Sequence, residues 1–448
     1  MLILRDPLWD TIRLDEVAVR IVDSAAFQRL RYIKQLGLAH LVYPGATHSR
    51  FDHALGVYHL MQRALAILGE PDGAGPDGAG PSAGAGDVAP ADHRLVPLAG
   101  LLHDIGHYPF SHAVEELEEG RLPGHHEAVS GRFLDDADVR AALESVAPDA
   151  VARIEALIRG RSDSPLQGLV SGPLDLDKIE YLKRDARFSG VPYGEVDVDR
   201  LLHALVLLED PGTGRLEVGV HEKGVAALES LLFAKYQMFR NVYWHHAVRA
   251  ATVLYKRIVD DALDGGMITG DELVGRTDEG LLALLEGRAA QSGRPEDESR
   301  RAQVERWVTA LRSRRLPKRV AELPAAELGA GAGEWLAVDS PLKRRLEERL
   351  AVELEVDAVF VDFPEKRAMF GLDLLVRRRS GEVLRLGPGG HSGLIGLPRV
   401  SDELYRSARV LRVFAFGSRL QLDPGDVARL VTLSQAEVAA RLEAGGLL

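Results

Sequence analysis

An apolar run from Val96 to Leu102 leads straight into His103-Asp-Ile-Gly-His-Tyr-Pro-Phe-Ser-His112, so three histidines and an aspartate fall within ten residues. This order constrains the fold: a buried helix has to end where a ladder of ligand-type side chains begins. Gly106 and Pro109 supply the ending. His103 and Asp104 are adjacent and cannot share one helix face. They can straddle a single metal ion lodged against the helix side, since imidazole and carboxylate together suit zinc, iron or manganese. A His-Asp pair alone is cheap by chance and reads as a helix end with satisfied surface side chains. Further ligands elsewhere decide the matter.

Composition narrows where those ligands come from. The chain has 448 residues and no cysteine, so a metal has to sit on His, Asp or Glu. Ten of the 15 histidines lie between His40 and His126. A net charge of −12 argues against a nucleic-acid backbone as main partner, while leaving room for a small phosphorylated ligand held by local Arg and Lys. No apolar run approaches the roughly 20 residues that span a bilayer. The N-terminus lacks the features of a signal peptide, and a cytoplasmic location without membrane contact is expected.

Periodicity predicts a mainly α fold. Residues 11–37 read as helical, with Ser24 capping a second segment and Gly37 closing it; a second helix opens near Thr47 and runs to about Leu68. Arg50 and His53, three apart, are expected on one exposed edge of it. Residues 69–91, rich in Gly, Ala, Pro and Asp, read as a flexible insert. Helices follow from Gly124, over about 137–147 and 149–159, and from Pro173, where Asp177, Tyr181 and Arg184, with Lys178 and Asp185, place charge along one edge. Residues 197–208 read as helix, 215–220 as strand, 221–263 as one or two long helices, and 291–301 as a polar break. Segments 357–363, 371–377, 382–386 and 410–416 look like strands of one small sheet, and 424–442 is helical. The expected organisation is a helical core from 1–68 and 92–265, the insert 69–91, a helical extension 266–350 and a smaller α+β region 351–448.

His53, His103, Asp104 and Asp177 together make a two-histidine, two-carboxylate shell with positions left for water and a phosphate oxygen. His107, His112 and His126 are then candidates for general acid or base. Arg50, Lys178 and Tyr181 would neutralise charge developing on phosphate.

His53, then His103-Asp104, then Asp177, resembles the signature of the HD-domain phosphohydrolases. Longer stretches resemble one branch, the deoxynucleoside triphosphate triphosphohydrolases: Asp23-Ser-Ala-Ala-Phe-Gln-Arg-Leu-Arg-Tyr, Tyr43-Pro-Gly-Ala-Thr-His-Ser-Arg-Phe-Asp-His, His103 to His112, and Asp175-Leu-Asp-Lys-Ile-Glu-Tyr-Leu-Lys-Arg-Asp. The likeness is dense over residues 1–260 and looser beyond. It implies a helical HD body and hydrolysis of dNTPs to deoxynucleoside and inorganic triphosphate, with a divalent metal (Mn, Fe, Mg or Zn) on the four ligands. It further implies Gln35 and Asp185 at the sugar 3′-hydroxyl and Tyr243 crowding the 2′ position. Asp23, Gln28 and Arg31 match positions that read guanine in an activating site between subunits, where carboxylate and guanidinium complement guanine's donors and acceptors. GTP or dGTP activation of a dimer or tetramer is the corresponding expectation. The chain departs from the pattern in carrying Leu2 where a lysine is expected and in the 69–91 insert. The same shell would also serve another HD nucleotide phosphohydrolase, a monophosphatase or phosphodiesterase. A non-catalytic nucleotide sensor is the reading expected of a chain that has lost a ligand, and none is lost here.

Overall fold

The computed structural model of the chain describes residues 1–69, 88–117, 120–291, 295–329, 331–338, 340–364, 372–387, 389–391, 393–417 and 422–447; the side chains of His112 and of residues 295–297, 337, 338 and 340 fall outside that description. Most of the proposed insert, residues 70–87, also lies outside it.

The helical body opens on an antiparallel hairpin, β1 (Leu2–Asp6) and β2 (Asp10–Leu14), followed by α1 (Glu16–Asp23). The body then runs through α2 (Arg50–Gly69), α3 (Asp92–Leu102), α4 (His126–Leu134), α5 (Ala137–Glu144), α6 (Ala150–Ile158) and α7 (Leu176–Ser189). After the strands β3 (Leu205–Glu209) and β4 (Leu216–His221) come α8 (Val225–Met238) and α9 (His246–Asp264), joined by a single π-helical turn. The extension holds α10 (Asp278–Ala289), α11 (Pro295–Arg312), β5 (Lys318–Pro324) and α12 (Ser340–Glu353). The C-terminal part adds β6 (Ala358–Asp362), β7 (Leu374–Arg377), β8 (Val383–Leu386), α13 (Ser401–Ala408), β9 (Val410–Phe416), α14 (Pro424–Thr432) and α15 (Gln435–Ala444). The fold is mainly α with a smaller α+β C-terminal part, and no helix among the described residues is long and apolar enough to cross a membrane.

Helix ends place the site. At the start of α2, Ser49 and Asp52 cap reciprocally: Asp52 Oδ2 accepts from the Ser49 amide at 2.9 Å and Ser49 Oγ from the Asp52 amide at 3.3 Å. Asp175 caps α7 through the Lys178 amide at 3.1 Å, and Gly190, at φ +69°, ends it. α2 packs against both α3 and α7, and Leu55, Val57, Leu60, Leu98, Leu101, Ile179 and Leu182 share one buried core. The ends of three helices that carry the candidate ligands are therefore fixed by one apolar cluster.

Several expectations are corrected. Residues 11–37 are not continuous helix, since residues 10–14 pair with β1. Ser24 does cap a second, one-turn segment through the Phe27 amide, but its own extended backbone breaks the helix. Gly37 opens a short turn rather than closing a helix; its φ is +51°, and a Cβ there would sit 2.9 Å from the Phe110 carbonyl oxygen. Residues 205–208, expected as helix, form β3, and α11 begins at Pro295, inside the expected polar break. The expected single sheet is two: β3-β4-β7-β8, with β4 and β7 parallel, and the antiparallel β5-β9-β6.

Candidate metal centre and nucleotide cavity

His53 Nε2 lies 3.0 Å from Asp177 Oδ1, 3.2 Å from His103 Nε2 and 3.6 Å from Asp104 Oδ2. His103 Nε2 lies 3.3 Å from Asp104 Oδ1 and 3.5 Å from Asp177 Oδ1. Ligand bonds of about 2.0–2.2 Å to one ion put neighbouring donors about 3.0–3.5 Å apart, which is the spacing of His53, His103 and Asp177; Asp104 groups instead with His107 and His126. The other ring nitrogens fix the tautomers. His53 Nδ1 is 2.7 Å from Glu180 Oε2 and His103 Nδ1 is 2.8 Å from the Gly100 carbonyl oxygen, so each Nδ1–H donates and each Nε2 lone pair faces the same point. Two lone pairs and the Asp177 carboxylate converging at that spacing suit a divalent cation, with Asp104 beside them at 3.3 Å from His103 and 3.6 Å from His53. Failing a cation, a proton is the substitute. Burial opposes it, but hydrogen bonds to Asp177 and Glu180 prevail and raise His53 to about 10.

Arg50 and His53, expected on an exposed edge, are 2 % and 0 % exposed. The reason is electrostatic pairing: Arg50 NH1 bonds Asp104 Oδ2, and its Nε donates to Ser111 Oγ at 3.0 Å. Burial alone would push Asp104 up; Arg50, His103 and His107 together hold it well below the usual carboxylate range. Arg184, expected to share an edge with Asp177 and Tyr181, is instead fully buried against Glu180 and Asp6.

A second histidine group adjoins the first. His107 Nε2 is 3.0 Å from Asp104 Oδ1, and its ring stacks on His126 at 3.8 Å and 17°. His126 Nδ1 is 2.7 Å from Glu115 Oε1. Burial, with Arg50 and His126 beside it, keeps His107 neutral. The His112 backbone lies in the Ser111–Ala113 turn.

Both groups open on a cavity of about 580 Å³, within the roughly 300–1,000 Å³ of small-molecule sites. Gln35, Arg50, His103, Asp104, His107, His126, Asp177, Lys178, Tyr181, Asp185 and Tyr243 all line it. Asp185 uses both oxygens: Oδ1 on His48 Nε2 at 2.6 Å and Oδ2 on the Tyr243 hydroxyl at 2.7 Å. Burial, followed by nearby carboxylates, keeps the Tyr181 and Tyr243 phenols protonated. Lys178 Nζ is turned back, donating to the Gly172 carbonyl at 2.7 Å and to Asp175. Asp23, Gln28 and Arg31 do not line the cavity. Asp23 and Arg31 are exposed; Arg31 Nε donates to Gln28 Oε1 at 2.8 Å, and its guanidinium lies 3.5 Å over the Phe51 ring.

Sequence reasoning missed Glu180, Glu115, His48 and the buried, cavity-lining Lys235. Glu180 had a signal, three residues after Asp177 on one helix side. The others meet their partners only through the fold.

A family model described as an HD domain matches residues 50–179, and one described as an HD associated region matches residues 196–391. An uncharacterized protein of Methanocaldococcus jannaschii is 33% identical over 64% of this chain and 55% of its own length. The human deoxynucleoside triphosphate triphosphohydrolase SAMHD1 is 27% identical over 62% of this chain and 46% of its own length. The chain thus spans about half the length of these relatives. The crystal structure of a hypothetical protein from Aquifex aeolicus superposes with a TM-score of 0.64 at 26% identity, covering 92% of this chain and 96% of that one.

Proposed function

Because the chain belongs to the HD-domain family of phosphohydrolases, we propose that it hydrolyses deoxynucleoside triphosphates to deoxynucleoside and inorganic triphosphate, with a divalent cation held by His53, His103, Asp104 and Asp177. The convergence of two imidazole lone pairs and the Asp177 carboxylate, with Asp104 adjoining, beside a nucleotide-sized cavity carries this reading. The likeness to a deoxynucleoside triphosphate triphosphohydrolase supports the substrate class.

Water forms a bond to the α-phosphorus, the bond from phosphorus to the 5′-oxygen breaks, and the leaving oxygen takes a proton. Bound at the four ligands, the ion supplies Lewis-acid polarisation and lowers the pKa of water. Arg50 holds Asp104 ionised and adds positive charge beside the phosphates; Lys178 and Tyr181 complete the triphosphate contacts, Lys178 by leaving Asp175. His126, oriented by Glu115, and His107 stand next to the ligand cluster as proton donors or acceptors, with His112. Gln35 and Asp185 read the 3′-hydroxyl, and Tyr243, pinned by Asp185, walls off a 2′-hydroxyl. Asp23, Gln28 and Arg31 bind GTP or dGTP at a contact between copies of the chain.

Asp104→Ala should abolish dNTP turnover without unfolding the chain. Asp23→Ala should keep basal turnover and blunt any response to added GTP. Retained activity in Asp104→Ala removes the metal assignment.

A further inference from the structure

Asp278, the first residue of α10, is 1% exposed and reaches into the HD body from the extension. Its Oδ1 accepts from the Phe110 amide at 2.6 Å and its Oδ2 from the Lys34 amide at 3.0 Å, with Lys34 Nζ 3.8 Å away. Those amides belong to two loops that line the cavity: Gln35 follows Lys34, while Phe110 and Ser111 follow His107. The loops also bond each other, since Ser111 Oγ donates to the Lys34 carbonyl at 2.9 Å. Through Ser111 the chain of contacts continues to Arg50 and on to Asp104.

The loop being held is a strained one. Phe110 and Ser111 both have φ of +57°, a region that residues with a Cβ adopt rarely, and two in succession persist only where neighbours impose them. Besides Asp278, Tyr255 helps impose them, its hydroxyl donating to the Pro109 carbonyl at 3.1 Å. Burial pushes the Asp278 carboxyl up to about 6 against the pull of the two amides and Lys34, so at neutral pH both oxygens are ionised acceptors. An asparagine would offer one acceptor and set an NH₂ against the second amide.

We propose that Asp278 is a positioning residue: by accepting one amide from each loop, it holds the Phe110–Ser111 turn in its left-handed conformation and so sets Ser111, Arg50 and the adjoining histidines for the reaction. The extension carrying α10 thereby shapes the active loop of the HD body. The inference rests on the proposed hydrolysis for its catalytic consequence, and on the two amide bonds for its structural one.

Asp278→Asn tests both. Hydrogen exchange should accelerate on the order of tenfold in segments 31–38 and 105–117 while α2 and β9 keep their protection. The kcat for dNTP should fall on the order of ten- to hundredfold with little change in KM, as expected for misplacement rather than lost binding. Unchanged exchange in both segments, uniform acceleration across the chain, or an unchanged kcat overturns the proposal. If the variant does not fold, the wild-type chain decides: the Lys34 and Phe110 amides should exchange far more slowly than loop amides without an acceptor, and free exchange at both overturns the clamp. A wild-type chain that turns over no dNTP defeats the substrate reading above, while the exchange measurement still decides whether Asp278 holds the loops.

Discussion

His53 Nδ1 stands 2.7 Å from Glu180 Oε2, both side chains fully buried, with the opposite ring nitrogen aimed at His103 and Asp177. Glu180 is itself held from two sides. Its Oε1 accepts from Trp9 Nε1 at 2.9 Å and from Arg184 Nε at 2.8 Å, and Arg184 reaches Asp6 Oδ2 at 3.0 Å. The turn of the N-terminal hairpin therefore grips the carboxylate that orients a proposed metal ligand. Such outer contacts decide ring orientation and ligand basicity.

Replacing Glu180 with glutamine keeps the size but leaves one acceptor: with that oxygen on the Trp9 and Arg184 donors, the NH₂ faces His53 Nδ1–H and the orienting bond is lost. Metal affinity should fall on the order of ten- to hundredfold, read by titrating the chelated chain with Mn²⁺. Unaltered affinity would show that His53 needs no orienting partner.

Gly56, one turn beyond His53 on α2, leaves the space this network occupies. A Cβ there would stand 2.0 Å from Glu180 Oε1 and 2.9 Å from Arg184 NH2. Both groups are buried and pinned, so neither can swing into water. Gly56→Ala should cost about 1–3 kcal/mol, seen as a lower midpoint in denaturant, and should weaken metal binding as well. A variant as stable as the parent contradicts the packing described.

Stability should depend on pH in a metal-sensitive way. His53, raised from 6.5 to about 10, contributes stability that is complete below pH 6.5 and lost as pH climbs towards 10. Glu180 is depressed from 4.5 to about 2: burial works against this, and Arg184 and His53 outweigh it. Its contribution is present above pH 4.5 and lost as pH falls through 2. A cation takes the place of the His53 proton. The gap in Tm between metal-loaded and chelated protein should therefore widen from pH 6.5 upward. A constant gap would mean that proton and metal do not compete at His53.

Tyr243→Phe removes the hydroxyl from Asp185 Oδ2 but leaves His48 on Oδ1. The ring stays, so the fold should survive. KM for dNTPs should rise about tenfold, the scale of one lost hydrogen bond in a closed site, and the preference over ribonucleotides should narrow. Steady-state kinetics with matched dNTP and NTP pairs measures both.

Much of the candidate site was legible because its proposed ligands sit at helix ends with strong local signals. His103 and Asp104 follow an apolar run, His53 follows a capping pair at Ser49 and Asp52, and Asp177 follows its own cap, Asp175. What stayed hidden depends on long-range partners. Leu205 to Leu208 is an apolar run whose type is set by pairing with β4, not by its own periodicity. The C-terminal strands divided between two sheets because β7 pairs with β4, far back in the chain, while β9 inserts between β5 and β6. Glu180 was passed over, since i,i+4 pairing with Arg184 looks the same on a surface helix as in a core. Arg50 looked exposed for the same reason: a buried cation is invisible in sequence until its carboxylate is known.

The most direct measurement adds Mn²⁺ in steps to the chelated chain with a saturating dNTP and resolves the products at each step. Turnover should rise with bound metal and level off at one equivalent per chain, releasing deoxynucleoside and inorganic triphosphate in equal amounts. Full turnover before any metal is added, or release of pyrophosphate with deoxynucleoside monophosphate, would contradict a four-ligand cation centre acting at the α-phosphorus.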